Sequence, residues 1–166
     1  MTINVGDRLP QSTFRIMTED GPAAKTTEDV FSGRNVVLFA VPGAFTPTCH
    51  RNHLPGFLAK ADEIRAMGID AIAVVSTNDV FVLDAWAKQT GGEGKIEFLS
   101  DGNAEFAHAI GLSLDGSGFG LGTRFQRFSM VVRDGMVDAL NVEDAPGKAD
   151  VSGAEALIKS LSGASA

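Results

Sequence analysis

The 166 residues contain one cysteine, Cys49. A disulfide within the chain is therefore excluded, and an oxidised sulfur must be resolved by a second molecule or a small thiol. Basic charge is also scarce: 14 Lys and Arg stand against 21 Asp and Glu, for a net charge of −7. With the cations scattered rather than clustered, neither nucleic acid nor an anionic membrane is an expected partner. No apolar run approaches the length of a membrane span. Residues 1 to 10 (MTINVGDRLP) lack the basic start and apolar core of a secretory signal, so a cytoplasmic protein is expected. There is no internal repeat, and the 19 glycines and 6 prolines fall mostly between periodic segments, which punctuates the chain without making it low in complexity. What remains is 44% hydrophobic content, enough for one domain over residues 1–166 that needs neither disulfides nor metal to hold its core.

Strands alternate with helices along the chain. Ile3 to Leu9 and Ser12 to Met17 read as an N-terminal hairpin, with turn signals at Gly6-Asp7 and Asp20-Gly21-Pro22. Thr27 to Phe31 reads as a short helical turn. Val36 to Val41 carries no polar residue, which suits a strand buried on both faces. A helix beginning near Thr46 should kink or break near Leu54, because Pro55 cannot donate to the carbonyl of Arg51, and should close at Gly68. Ile69 to Val75 follows as a second apolar strand, and Ser76-Thr77-Asn78-Asp79 caps a helix through Thr90 with Phe81, Val82, Ala85 and Trp86 at helical spacing. Ile96 to Leu99 is a further strand and Asp101 to Ile110 a further helix, ended by Gly111.

Asp115 to Gly122 (DGSGFGLG) is glycine-rich. A dinucleotide loop needs a strand before it and a helix after it, whereas the strand-like run Arg124 to Val132 follows, so this loop is read as positioning that strand. Asp134-Gly135 between Phe128–Val132 and Met136–Val142 is a type I′ hairpin signal. Ser152 with Glu155 forms a capping box for a last helix on Ala154, Leu157, Ile158 and Leu161, with a fraying tail from Ser162 to Ala166. The order gives an α/β, thioredoxin-like fold: a mixed central sheet with helices on both faces.

Cys49 lies where the buried strand passes into a helix, in Pro42-Gly43-Ala44-Phe45-Thr46-Pro47-Thr48-Cys49-His50. A lone intracellular cysteine is more often an inert apolar side chain. Here Thr46 is placed to cap the helix and Pro47 to start it, so Cys49 falls at the third helical position, where unpaired N–H groups and the helix dipole favour a thiolate. The tetrad that carries C-x-x-C in thioredoxins is Thr46-Pro47-Thr48-Cys49, so dithiol exchange within the chain is impossible and an activated single thiol suits peroxide. His50 and His53 follow, and Cys49 with His53 at i, i+4 could share a face. Zinc is disfavoured, because a closed site wants four ligands and His108 lies in a distant helix.

Pro42, Thr46 and Cys49 in PGAFTPTC resemble the P-x-x-x-T/S-x-x-C signature of peroxiredoxins, and PGAFTPTC, HLPGF and QRFSMVV together resemble the peroxiredoxin-5 or type II branch, from about Val5 to Leu161. The resemblance implies a peroxidase acting on hydrogen peroxide and organic hydroperoxides without a cofactor. Cys49 is then the attacking thiolate that becomes a sulfenic acid. Thr46 directs its hydroxyl at the sulfur or peroxide, Pro42 walls the pocket, and Arg127 stabilises the developing charge, with Arg124 three residues earlier as a possible second arginine. Gly43, Phe45 and His53 surround the site. The resolving cysteine carried by some members is absent from its two usual regions, which here hold Ala73 and the neighbourhood of Val151 and Ser152, so an external thiol is implied, with glutathione and glutaredoxin favoured over thioredoxin. A homodimer pairing near the site is also implied. A redox sensor or holdase-like module using the same thiol as a switch is the alternative.

Overall fold

The computed structural model describes residues 2–145 and 147–164. In chain order they form β1 (Thr13–Thr18), β2 (Gly21–Thr26), α1 (Thr27–Phe31), β3 (Asn35–Ala40), a π-helical turn (Cys49–His53) that runs into α2 (Leu54–Ala66), β4 (Ala71–Ser76), α3 (Val80–Thr90) and β5 (Glu97–Ser100). They continue as α4 (Glu105–Ala109), β6 (Ser113–Asp115), a 3-10 turn (Ser117–Phe119), β7 (Thr123–Phe125), β8 (Phe128–Arg133), β9 (Met136–Val142) and α5 (Ala154–Ala164).

Seven strands make one sheet in the order β2-β1-β5-β4-β3-β8-β9, with β3, β4 and β5 parallel and the strands outside them antiparallel. Near its centre, β3 alternates its side chains between two cores. Val36, Leu38 and Ala40 pack with Phe14, Phe31, Phe106 and Phe128, while Val37, Phe39 and Val41 pack with Cys49, Phe57, Trp86 and Leu157. The first layer takes residues from α1 and α4, the second from α2, α3 and α5. An uninterrupted apolar strand is what such a two-sided burial requires. This is the expected mixed sheet with helices on both faces, a thioredoxin-like fold. The β8–β9 hairpin turns at Asp134 and Gly135, whose φ values of 49° and 79° are the paired positive angles of a type I′ turn.

Several local expectations are corrected. The N-terminal hairpin lies one segment later, in β1 and β2 around Asp20-Gly21, and Ile3 to Leu9 runs instead beside the start of β9, with a bridge from Arg8 to Met136 and backbone bonds to Gly135 and Val137. Leu9 is buried there as well as paired, its N–H donating to the Gly135 carbonyl at 2.8 Å. The interruption expected near Leu54 is present and takes the form of a π-turn: the Leu54 N–H reaches the Cys49 carbonyl, an i→i+5 bond, and the residue without a donor, Pro55, sits at the start of α2, where none is needed. On α3 the buried face is Val80, Leu83, Trp86 and Ala87, which leaves Phe81 64% exposed and Ala85 at the surface. The run Arg124 to Val132 divides at Gln126-Arg127 into β7 and β8, and the glycine-rich loop closes a small β6–β7 hairpin. Helix α5 extends through Ala164, and residues 165 and 166 of the tail lie outside the described residues.

Candidate active site

The carboxyl end of β3 delivers the chain into the segment Val41 to Thr48, and this segment is tied down from the neighbouring strand's end. The Ala44 N–H donates to Asn78 Oδ1 at 2.8 Å, and the Ser76 hydroxyl donates to the same oxygen at 2.6 Å. Phe45 then adopts a left-handed backbone with φ 64°, a conformation that costs a non-glycine residue about 1 kcal/mol. It turns the ring outward to stack on His50, with ring centres 5.6 Å apart. Pro42 is buried, and its carbonyl accepts a hydrogen bond from Arg124 Nη1 at 3.2 Å. A Cβ on Gly43 would lie 3.0 Å from that guanidinium nitrogen and 3.0 Å from Thr46 Cγ2, so a larger residue would push on both side chains.

The helix begins at Pro47, yet Thr46 does not cap it with its side chain. Its hydroxyl donates instead to the Gly43 carbonyl at 2.6 Å, closing the turn that its own N–H also closes. The Thr46 carbonyl accepts the His50 N–H at 2.8 Å, which sets the threonine one turn before the cysteine.

Cys49 is fully buried. Arg127, 2% exposed and also in the interior, donates from Nη2 to Cys49 Sγ at 3.0 Å and lies with Nη1 2.8 Å from His53 Nδ1. The far ring nitrogen, Nε2, is 2.9 Å from the Ser152 carbonyl oxygen. Ser152 is anchored in turn, donating its N–H and its hydroxyl to Glu143 Oε2 at 2.8 and 2.7 Å, and the Glu143 N–H returns to the Arg127 carbonyl at 2.9 Å. Sulfur, guanidinium, imidazole, a backbone carbonyl and a carboxylate thus form one buried circuit. Burial foremost, and then the charge of Arg127, push His53 down to about 3, against a smaller upward pull from its bond to Ser152.

Of the residues named from sequence, Cys49, Arg127 and His53 are brought into direct contact. Pro42, Gly43 and Arg124 form an adjoining group, and Phe45 stands at the rim. Arg127 rather than Arg124 faces the sulfur. The Ser152–Glu155 capping box is not the role of Ser152, whose hydroxyl goes to Glu143. Glu143 and Asn78 were missed. An acid following an apolar strand carries no local signal, whereas Asn78 belongs to the Ser76-Thr77-Asn78-Asp79 cap and its side chain reaches past the helix to the Ala44 N–H.

Comparison with known proteins extends these observations to the whole chain. Residues 4–158 match the redoxin family. Peroxiredoxin-2E-2, chloroplastic, of Oryza sativa subsp. japonica is 46% identical over 165 residues, spanning 96% of this chain and 73% of that protein. The chain is a peroxiredoxin of the redoxin family. Peroxiredoxin-2B of Arabidopsis thaliana is 41% identical over 160 residues, covering 96% of this peroxiredoxin and 98% of the relative. Reduced Prx3 from Vibrio vulnificus in complex with hydrogen peroxide superimposes with a TM-score of 0.91 at 45% identity, over 96% of this chain and 99% of that one. As a peroxiredoxin the protein is a thiol peroxidase.

Proposed function

We propose that Cys49 is the peroxidatic residue and that the buried circuit around it performs the reaction. The Cys49 thiolate attacks the terminal peroxide oxygen, the O–O bond breaks, and the leaving alkoxide or hydroxide takes a proton, so that the sulfur becomes a sulfenic acid and the peroxide becomes alcohol or water. Arg127 sets a permanent cation beside the sulfur and beside the oxygen on which charge accumulates. The observation that carries this reading is the 3.0 Å contact between Arg127 Nη2 and Cys49 Sγ with both groups buried. His53 is neutral at physiological pH and acts by orienting Arg127. Thr46, Pro42 and Gly43 shape the peroxide pocket; turning the Thr46 hydroxyl from Gly43 toward a bound peroxide takes one side-chain rotation.

With no second cysteine, the sulfenic acid condenses with an external thiol, releasing water. A second thiol then attacks the mixed disulfide and returns Cys49. Glutathione, cleared by glutaredoxin or a second glutathione, fits a buried sulfur better than a protein that must dock directly, and the reducing cytoplasm is the compartment such a donor fits. The protein acts as a homodimer that covers the exposed rings of Phe45, Phe81 and Phe119, which are 47, 64 and 88% exposed. Intact mass after equimolar peroxide and excess glutathione tests the cycle. One glutathione adduct on the wild type and none on Cys49→Ser is expected; turnover sustained by thioredoxin alone, with no adduct, overturns the donor.

A further inference from the structure

The three parallel strands end at one edge of the sheet, and beside the Cys49 segment that edge holds a polar cavity of about 300 Å³. Thr77 comes from the end of β4, Asn103 and His108 from the region of α4, and Thr123 and Arg124 from β7. No Asp or Glu lines it, although the chain as a whole carries a net charge of −7. The nearest buried acid, Asp101, is committed to the amide groups of Phe106 and Ala107 at 3.1 and 2.9 Å. Arg124 is fixed rather than mobile: Nε donates to the Leu121 carbonyl at 2.8 Å and Nη1 to the Pro42 carbonyl at 3.2 Å. Among the described residues, its Nη2 makes no hydrogen bond. The cavity is also joined to the Cys49 segment on its other side. The Thr77 hydroxyl donates to the Thr123 carbonyl at 3.0 Å, and the next residue, Asn78, accepts the Ala44 N–H.

We propose that this pocket receives the carboxylate of a small molecule whose reactive group reaches Cys49. A held guanidinium with an uncommitted N–H edge matches a carboxylate in geometry and charge. The His108 imidazole and the Asn103 amide supply further donors, and the crevice beyond the carboxyl ends of parallel strands is where α/β sheets place ligands. A volume of about 300 Å³ admits a carboxylate together with the backbone next to it. Two reactants carry such a group: glutathione, in which case the proposal rests on the external-thiol cycle above, and a hydroperoxide with a carboxyl terminus. A bond from the same guanidinium to the Pro42 carbonyl couples the occupied pocket to the wall of the peroxide site.

The test compares charged with neutral reactants in wild type, Arg124→Gln, Arg124→Lys and His108→Gln. In one arm hydrogen peroxide is reduced with glutathione or with 2-mercaptoethanol; in the other, dithiothreitol reduces linoleic acid hydroperoxide or its methyl ester. Because Arg124 also braces Pro42, a loss common to both reactants of a pair is expected and cancels in their ratio. Arg124→Gln should lower kcat/KM for the carboxylate-bearing partner about tenfold relative to the neutral one, the scale of one charge-assisted hydrogen bond. Arg124→Lys should recover part of the loss, and His108→Gln should give a smaller loss in the same direction. Selective loss in the thiol arm assigns the pocket to glutathione; selective loss in the peroxide arm assigns it to the substrate. Unchanged ratios in both arms overturn the proposal, and His108→Gln decides it should Arg124→Gln fail to fold. A wild type that does not turn over with glutathione refutes only glutathione as the donor, and the peroxide arm then decides the pocket.

Discussion

Arg127 Nη1 lies 2.8 Å from His53 Nδ1, and because a guanidinium can only donate, the imidazole nitrogen facing it must accept. The other nitrogen faces a carbonyl oxygen, which can only accept, so Nε2 carries the hydrogen. His53 is thereby one defined neutral tautomer, and a second proton would have to displace the arginine. In the folded protein the group titrates at about 3 instead of 6.5. Since the unfolded chain binds the proton first, this histidine's contribution to stability is complete above pH 6.5 and is lost as pH falls toward 3. Between pH 6.5 and pH 4 the wild type should lose about 3 kcal/mol more than His53→Gln, from 1.36 kcal/mol per pKa unit. Urea unfolding across that range reads the difference; parallel profiles would contradict it.

Glu143 holds the Ser152 loop whose carbonyl orients His53. Glu143→Ala leaves the buried Ser152 N–H and hydroxyl without their acceptor, and a loss of about 2 to 3 kcal/mol is expected in chemical denaturation. A change under about 0.5 kcal/mol, the range of ordinary surface substitutions, would mean that the carboxylate is not holding the loop.

Legibility from sequence followed sequence distance. The two-sided β3, the βαβ order, the Asp134-Gly135 turn and the helix start at Pro47 are local patterns, and each stands as read. Phe81 was misread because helical spacing alone does not say which of two adjacent apolar stripes faces the sheet; Val80 and Leu83 took it. Arg127 was identified through family likeness, since its meaning depends on a cysteine 78 residues away. The Ser152 hydroxyl looked like an acceptor for the N–H groups of a helix start, and instead it donates to Glu143, a carboxylate nine residues earlier that no local pattern announces.

Arginine identity at the sulfur gives a further expectation. Arg127→Gln, and likewise Thr46→Val, should slow oxidation of Cys49 by hydrogen peroxide about 10²-fold in rapid mixing, the scale of removing one preorganised contribution to a transition state. A larger loss in Arg124→Gln than in Arg127→Gln would transfer the electrostatic role to the wrong side of the pocket for this account.

The exposed rings of Phe45, Phe81 and Phe119 predict self-association. Light scattering at micromolar concentration should give a dimer, and Phe81→Glu should shift it toward monomer by placing a charge in the apolar contact. A monomeric wild type at that concentration would remove the dimer from the account.

The most direct measurement is steady-state consumption of hydrogen peroxide with glutathione and glutaredoxin by wild type and by Cys49→Ser, whose fold is checked by its unfolding midpoint. The account predicts sustained turnover by the wild type and none above background by the variant, since the substitution removes the nucleophile and little volume. Turnover by Cys49→Ser, or a wild type that consumes one equivalent of peroxide and stops with every thiol donor, would contradict it.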